Sequence, residues 1–442
     1  MSSVYPKALI VGLGKSGLSA ARYLAARGWS LAATDSRDRP PGLDEFARLA
    51  PQAPVATGEL APRLLEGASI VVASPGVSPQ EPIFAAARAR GAEVLGDVEL
   101  FARAVAAPTV GITGTNGKST VTTLLGDMAE RAGIRVKVGG NLGTPALDLL
   151  DDPAAQLFVL ELSSYQLETA QSLRLLAATV LNVSPDHMDR YRDTAQYAAT
   201  KAAIFARCGT AVVNSDDAVV AAMTTGRAVR RSFALARPAD YSLQRHMGED
   251  WLAGPEGPLL ALRQLRLRGR HNAANALAAL ALGDACGIAR APMLQTLREF
   301  AGLPHRSVVV REVNGIAFVN DSKATNVGST LAAVSGMDGP LLVIAGGDGK
   351  QQDFAPLASA FRGKVKRVLL IGRDAAQVAA ALHGVCDLQF CASLEQAVIA
   401  AAEYALAGDT VLLSPACASL DMFRDYAHRG DVFADAVRRL PQ

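Results

Sequence analysis

The chain has little that would cross-link it or anchor it in lipid. Its five cysteines, Cys208, Cys286, Cys386, Cys391 and Cys417, are odd in number and scattered, and none forms a C-x-x-C pair. That argues against a disulfide framework and a thiolate zinc site alike. No stretch of about 18 apolar residues is available for a membrane helix. The opening segment, MSSVYPKALIVGLG, lacks the apolar run of a signal peptide and leads directly into a strand. Charge of one sign is also missing: 44 Lys and Arg against 42 Asp and Glu leave a net +2, too little for a nucleic-acid footprint. The short Arg-rich stretch at Arg263, Arg266, Arg268 and Arg270 is read as a solvated strand face. No internal repeat, low-complexity tract or long linker is visible. A cytoplasmic protein is expected, with neither nucleic acid nor membrane as partner.

What is present points to a large globular chain. It has 442 residues, half of them apolar and 19% charged. A prior of roughly 150 residues per domain suggests three domains. Three times the pattern shifts to a buried strand, a glycine turn and a helix: at ALIVGLGKSGLSAARYLAARG, at PTVGITGTNGKSTVTTLLGDMAERAG, and at LLVIAGGDGK followed by RVLLIG and TVLLSPA. Short Val/Ile/Leu runs alternating with amphipathic helices are what parallel α/β sheets require. Boundaries are expected near residues 97 and 302, dividing the chain into 1–97, 98–302 and 303–442.

Gly12, Gly14 and Gly17 form a G-x-G-x-x-G turn after a strand, and Asp35 ends the next strand. This is the dinucleotide fingerprint. Its amides select any diphosphate, so NAD and a UDP group both remain open on this motif. The second turn is more specific. Gly111 to Thr120, GITGTNGKST, follows one strand and opens a helix. Backbone amides of Gly114, Thr115, Asn116 and Gly117, with the helix N-terminus, suit a triphosphate. Lys118 can bridge the β- and γ-phosphates, and the hydroxyl of Ser119, with Thr120 beside it, can meet Mg²⁺. The strict Walker spacing fails by one place, because Ile112 stands five residues before Gly117. ATP is nevertheless the ligand this loop supports best.

Glu161, in VLELSSYQL, sits just after a buried strand, where an acid can hold Mg²⁺ on the phosphates. His187 lies in LNVSPDHMDRY and Lys201 in YAATKAAIF. Taken with the phosphate loop, ELSSYQLE, DHMDRY and HNAANALAA from His271, these residues resemble the Mur ligase family over the whole chain. Three stretches point to its glutamate-adding branch: Asn320 to Asn326 (NDSKATN), Gly346 to Lys350 (GGDGK) and Ser414 to Phe423 (SPACASLDMF). Sister ligases and folylpolyglutamate synthases usually carry a D-Y-A-H type motif at Asp321-Ser322-Lys323, and the D-N-P-R-like motif of another sister is absent.

The resemblance implies three α/β domains: a Rossmann-like N-terminal one, a central P-loop ATPase-like one and a Rossmann-like C-terminal one. It implies ATP-dependent addition of D-glutamate to UDP-N-acetylmuramoyl-L-alanine through an acyl phosphate, by a monomer. Another Mur-type ligase, a folylpolyglutamate-type ligase or an L-glutamate-adding variant are the alternatives. Under this reading the first turn holds UDP and not NAD. Gly14, Lys15 and Ser16 face the diphosphate, Asp35, Ser36 and Arg37 the uracil end, Gly76 the phosphates and Asn141 the sugar-peptide. Asn272, Asn275, Arg306 and Asp321 hold ATP, with His305 near the nucleotide. One Mg²⁺ falls to Ser119 and Glu161. A second falls to His187 on the substrate carboxylate side, near Lys201, which the family carries carbamylated. Lys323 lies between the γ-phosphate and the amino acid, while Thr325, Lys350, Ser419, Leu420 and Phe423 grip glutamate. Because these groups sit on different domains, closure must assemble the site. Cys417, inside the glutamate loop, is expected to be a point where bulky thiol reagents inhibit.

Overall fold

The computed structural model describes residues 6–267, 269–337 and 339–441; Arg268 of the Arg-rich stretch lies outside them. The chain builds three sheets, each from its own continuous stretch of sequence. The first runs Val55–Thr57, Ser30–Asp35, Lys7–Val11, Ala68–Ala73, Glu93–Leu95 in spatial order, all parallel. Its central strand, Lys7–Val11, is apolar after the lysine and buried on both faces, as a strand covered by helices on two sides must be.

The second sheet has nine strands. From Val136–Gly140 through Leu157–Glu161, Thr109–Thr113, Leu175–Val180, Cys208–Asn214 and Val229–Ala234 to Tyr241–His246 the pairing is parallel. Glu249–Gly254 and Gly257–Ala261 then extend it as an antiparallel meander. Helix Lys118–Arg131 packs against helix Arg270–Ala285 over this sheet. The second helix buries eleven of its sixteen residues, because Asn-Ala-Ala-Asn-Ala-Leu and the following Ala/Leu run are small enough for close approach. The third sheet orders Val308–Val313, Ile316–Asn320, Thr410–Leu413, Leu341–Gly346, Val365–Ile371, Asp387–Phe390, parallel except for its first pair.

One expectation is overturned. The described part of the Arg-rich stretch is not a strand. Arg263 lies in a short 3-10 turn, Leu262–Gln264, and Arg270 is the first residue of helix Arg270–Ala285. The alternation of leucine and arginine imitates a strand, but Gly269, at φ +96°, turns the chain into the helix instead. Solvation does hold for Arg263, which reaches Glu249 at 2.7 Å from an exposed position. No helix among the described residues is long and apolar enough to cross a membrane.

Candidate active site

Segments that follow strand ends in all three sheets converge on one cavity of about 830 Å³. Pro75 and Gly76 come from the first sheet, the phosphate loop, Glu161, Leu181 to Ser184, Asp186 and His187 from the second, and Asp321, Lys323 to Asn326 and Lys350 from the third. This is the crevice beyond the carboxyl ends of the strands where open α/β sheets bind ligands.

The phosphate loop is held open from behind. Asn182 accepts the Thr115 amide on its carbonyl at 2.9 Å and the Asn116 amide on its side chain at 2.8 Å. Gly114 and Gly117 take φ of +145° and +85°, which a side chain would resist; a Cβ at Gly117 would also lie 2.4 Å from Asn275 Oδ1. Lys118 folds back over the loop, its Nζ 2.9 Å from Gly114 O and 2.7 Å from Thr115 O. Burial lowers its pKa against the pull of Glu161 and Asp186.

Ser119 Oγ donates to Glu161 Oε2 at 2.5 Å, and Asn141 Nδ2 donates to Glu161 Oε1 at 2.6 Å. Across the cavity Arg306 Nη2 reaches Ser119 Oγ at 2.6 Å. No group of three or more His, Cys, Asp or Glu converges among the described residues. The buried Ser119 hydroxyl beside the Glu161 carboxylate could hold an ion only with phosphates and water completing its shell.

His187 sits at φ +59°, in the left-handed region that few non-glycine residues enter. Its Nδ1 is 2.8 Å from the Tyr165 hydroxyl, and burial pushes it down to about 4, so the ring is neutral and free to act as a ligand. Lys201 is 1% exposed, with Nζ 3.0 Å from Gly114 O and 4.4 Å from the Tyr197 ring centroid. Burial, with Lys118 nearby, lowers its pKa well below the usual lysine range.

The third sheet meets the second directly. Asn326 Nδ2 donates to Asp186 Oδ2 at 3.1 Å, Ser329 Oγ to Asn116 Oδ1 at 2.6 Å, and Lys350 Nζ to Asp186 Oδ1 at 3.1 Å. Burial raises Asp186, but Lys350, His187 and Lys118 outweigh it and hold the carboxyl below its ordinary value. Asp321 behaves oppositely: burial lifts it to about 7 despite Ser414 and Ser307. Burial also brings Lys323 down to about 8, its Nζ 3.9 Å from the Tyr426 ring centroid.

The cavity therefore gathers Gly76, Thr115 to Thr120, Asn141, Glu161, His187, Lys201, Asn272, Asn275, Arg306, Asp321, Lys323, Thr325 and Lys350. It does not gather the rest. Gly14, Lys15 and Ser16 head helix Lys15–Ala25 away from its wall, and Asp35 is engaged by the Leu13 amide at 2.7 Å and by Arg37. Ser36 and Arg37 also stand outside it. Ser419 is buried in a turn that accepts the Phe423 amide at 2.8 Å, Leu420 is 72% exposed, and Phe423 packs partly on the core. Cys417 is corrected outright. It is fully buried, and burial pushes its thiol up to about 12, so no accessible thiolate awaits a reagent. Sequence reading missed Asp186, Tyr165, Tyr197 and Asn182. Asp186 stands next to His187 in the DHMDRY stretch and was the most findable; the two tyrosines reveal themselves only by their contacts.

Fold and site together define a three-sheet α/β enzyme of the ATP-dependent ligase class. Family models agree: the Mur ligase MurD-like N-terminal domain matches residues 6–96, the Mur ligase middle domain 112–283, and the Mur ligase glutamate ligase domain 305–417. The chain belongs to the Mur ligase family. It is 51% identical over 436 residues to the UDP-N-acetylmuramoylalanine–D-glutamate ligase of Nitrosococcus oceani, covering 98% of this chain and 96% of that one. It is 49% identical to the enzymes of that name from Marinobacter nauticus and Pseudomonas aeruginosa, with 98% of each chain covered. The solved pseudomurein peptide ligase type C of Methanothermus fervidus shares the fold at a TM-score of 0.64 and 17% identity, covering 99% of this chain and 100% of that one. UDP-N-acetylmuramate–alanine ligase of Thermotoga maritima does so at 0.63 and 17%, covering 98% and 99%.

Proposed function

We infer that this chain is an ATP-dependent ligase that joins D-glutamate to the alanyl carboxylate of UDP-N-acetylmuramoyl-L-alanine, in peptidoglycan precursor synthesis in the cytoplasm. The observation that carries the reading is the meeting of the phosphate loop and the lysines of the third sheet in one cavity, in a chain about half identical to ligases of that name along nearly its whole length.

In this reading the first sheet, within 1–97, carries the UDP substrate, residues 98–302 the ATP, and residues 303–442 the glutamate. A carboxylate and an ammonium do not condense in water, so the carboxylate first attacks the γ-phosphorus of ATP. Two anions meet there, and Lys118, Arg306 and Lys323 supply the positive field that offsets their repulsion. Ser119 and Glu161 would hold one Mg²⁺ on the phosphates. His187, neutral at physiological pH, would hold a second on the carboxylate side. An ammonium at Lys201 would repel that ion; a carbamate there would be a ligand, and the low pKa of the buried amine supplies the neutral form that carbamylation needs. When bound, the metals neutralise phosphate charge.

The acyl phosphate is then attacked by the neutral amine of glutamate, giving an amide and phosphate. Lys350 and Thr325 are the groups in the cavity suited to a glutamate carboxylate. Contacts between Asn326, Ser329 and Lys350 and the opposite wall shut water away from the acyl phosphate. The testing experiment supplies UDP-N-acetylmuramoyl-L-alanine, ATP and Mg²⁺ with D- or L-glutamate and follows phosphate release and the amide product. Product with D-glutamate alone is expected. Turnover only with L-glutamate, or with another amino acid, would replace the reading.

A further inference from the structure

Resting on that ligase reading, the substrate must be held at two distant places, its UDP on the first sheet and its reacting carboxylate beside the phosphate loop. Polar links join the first and second units: Ser19 and Arg22 both meet Asp148. None of these residues lines the cavity. One further link does touch its wall. Arg190 Nη1 donates to the carbonyl of Pro75 at 3.0 Å, and Pro75 and Gly76 form part of the lining.

Arg190 stands behind that wall, its side chain 11% exposed. It grips both sides at once. Toward the second unit it pairs with Glu168, its Nη2 2.5 Å from Oε2, and stacks over Tyr165 with 4.1 Å from Cζ to the ring centroid. Tyr165 in turn meets His187 Nδ1 at 2.8 Å, and the Arg190 amide donates to His187 O at 2.9 Å. Toward the first unit, Pro75 follows Ser74, whose hydroxyl donates to Gly12 O at 2.6 Å. Gly12 has no slack, since a Cβ there would lie 2.8 Å from Ser74 Cβ. A continuous path of short contacts thus runs from the first glycine turn through Ser74, Pro75 and Arg190 to Tyr165 and His187.

We propose that Arg190 is a positioning residue that sets the span between the diphosphate turn and the carboxylate-activating loop. The chemistry explains the residue type. A planar guanidinium can satisfy a carboxylate, a carbonyl and an aromatic face together, whereas an ammonium offers a single point charge. Its near-burial beside a partnered carboxylate keeps the geometry single-valued.

The experiment compares wild type, the double variant E168Q/R190M and the single variant R190K. The double variant removes both charges, so neither is left buried alone; R190K keeps the charge against Glu168. Each is assayed with UDP-N-acetylmuramoyl-L-alanine and with the same sugar-peptide lacking UDP, and the KM for ATP is measured. For the double variant, kcat/KM with the UDP substrate should fall about 10- to 100-fold. The UDP-free substrate and the KM for ATP should change no more than about twofold, and R190K should show the same selective pattern more weakly. Equal losses on both substrates, or no loss on either, overturn the proposal. Absence of ligation by wild type would instead defeat the ligase reading, which separates the two failures.

Discussion

The two glycine turns at Gly12 and Gly111 follow one plan, strand then turn then helix, yet the fold uses them differently. The second opens into the cavity, whose wall Thr115 to Thr120 help to form. The first is packed shut along most of its length. A Cβ at Gly17 would lie 2.0 Å from Gly12 O, and Asp35 is occupied with the Leu13 amide and Arg37. Gly14 is the exception, with nothing within 4 Å of its would-be Cβ. The lesson is that glycines in such a motif answer two separate demands, close packing of strand and helix and close approach of a ligand. Only contacts tell them apart.

Substitutions can break or sharpen this contrast. The largest effect should come from Lys118→Ala, which leaves the loop backbone intact but removes its cation. A fall in kcat of about 10³ or more is expected in a phosphate-release assay, with the thermal midpoint nearly unchanged. Retained turnover would mean that the open turn is not the reacting site. Next is Gly17→Ala. Its methyl group must push on backbone, so unfolding stability should drop by about 3 kcal/mol in a denaturant titration.

Gly14→Ala should do the reverse, sharpening the division within one motif. Stability should move by less than about 1 kcal/mol, because the site is open and its φ of −91° suits any residue. The KM for the UDP substrate should rise about tenfold as the methyl group occupies ligand space. A Gly14 variant with normal KM would argue that the first turn is purely structural.

Smaller still is the effect of Asp321→Asn. The folded carboxyl is raised to about 7 from an ordinary value of 3.8. Its stabilising contribution is therefore present below about pH 4 and lost as pH rises through about 7. The asparagine variant should lack that decline and be more stable than wild type at pH 8 by about 1 kcal/mol, while losing affinity for ATP. Parallel pH–stability curves for both proteins would contradict the assignment. Last, Cys417 should show almost no labelling by a bulky thiol reagent in the folded protein and full labelling in urea; fast labelling of the native enzyme would show that the glutamate loop opens.

Legibility in the sequence followed the range of the interactions. The phosphate loop, the two nucleotide-type turns and Glu161 at the end of its strand are local patterns, and a local pattern is complete within about a dozen residues. The Arg-rich stretch misled for the same reason: alternation suggested a strand, and one left-handed glycine decided otherwise. Asp186 and Arg190 lie inside the DHMDRY stretch and Tyr165 inside ELSSYQLE, but neither stretch marks what these residues touch. Their partners are Lys350 of the third sheet, His187 across a loop and Pro75 of the first unit. Their separations along the chain range from 22 to 164 residues, so composition and spacing carry no trace of the pairing.

The sequence by itself therefore determined the α/β class, the triphosphate-binding loop and the family resemblance, because strand burial, turn chemistry and helix starts are set by neighbouring residues. Only the tertiary structure decided which glycines are packed and which are open, that Cys417 is sealed, and that Asp186 joins Lys350 to His187. Those outcomes depend on desolvation and on which strand ends meet, and both are properties of three sheets folded around a single cavity.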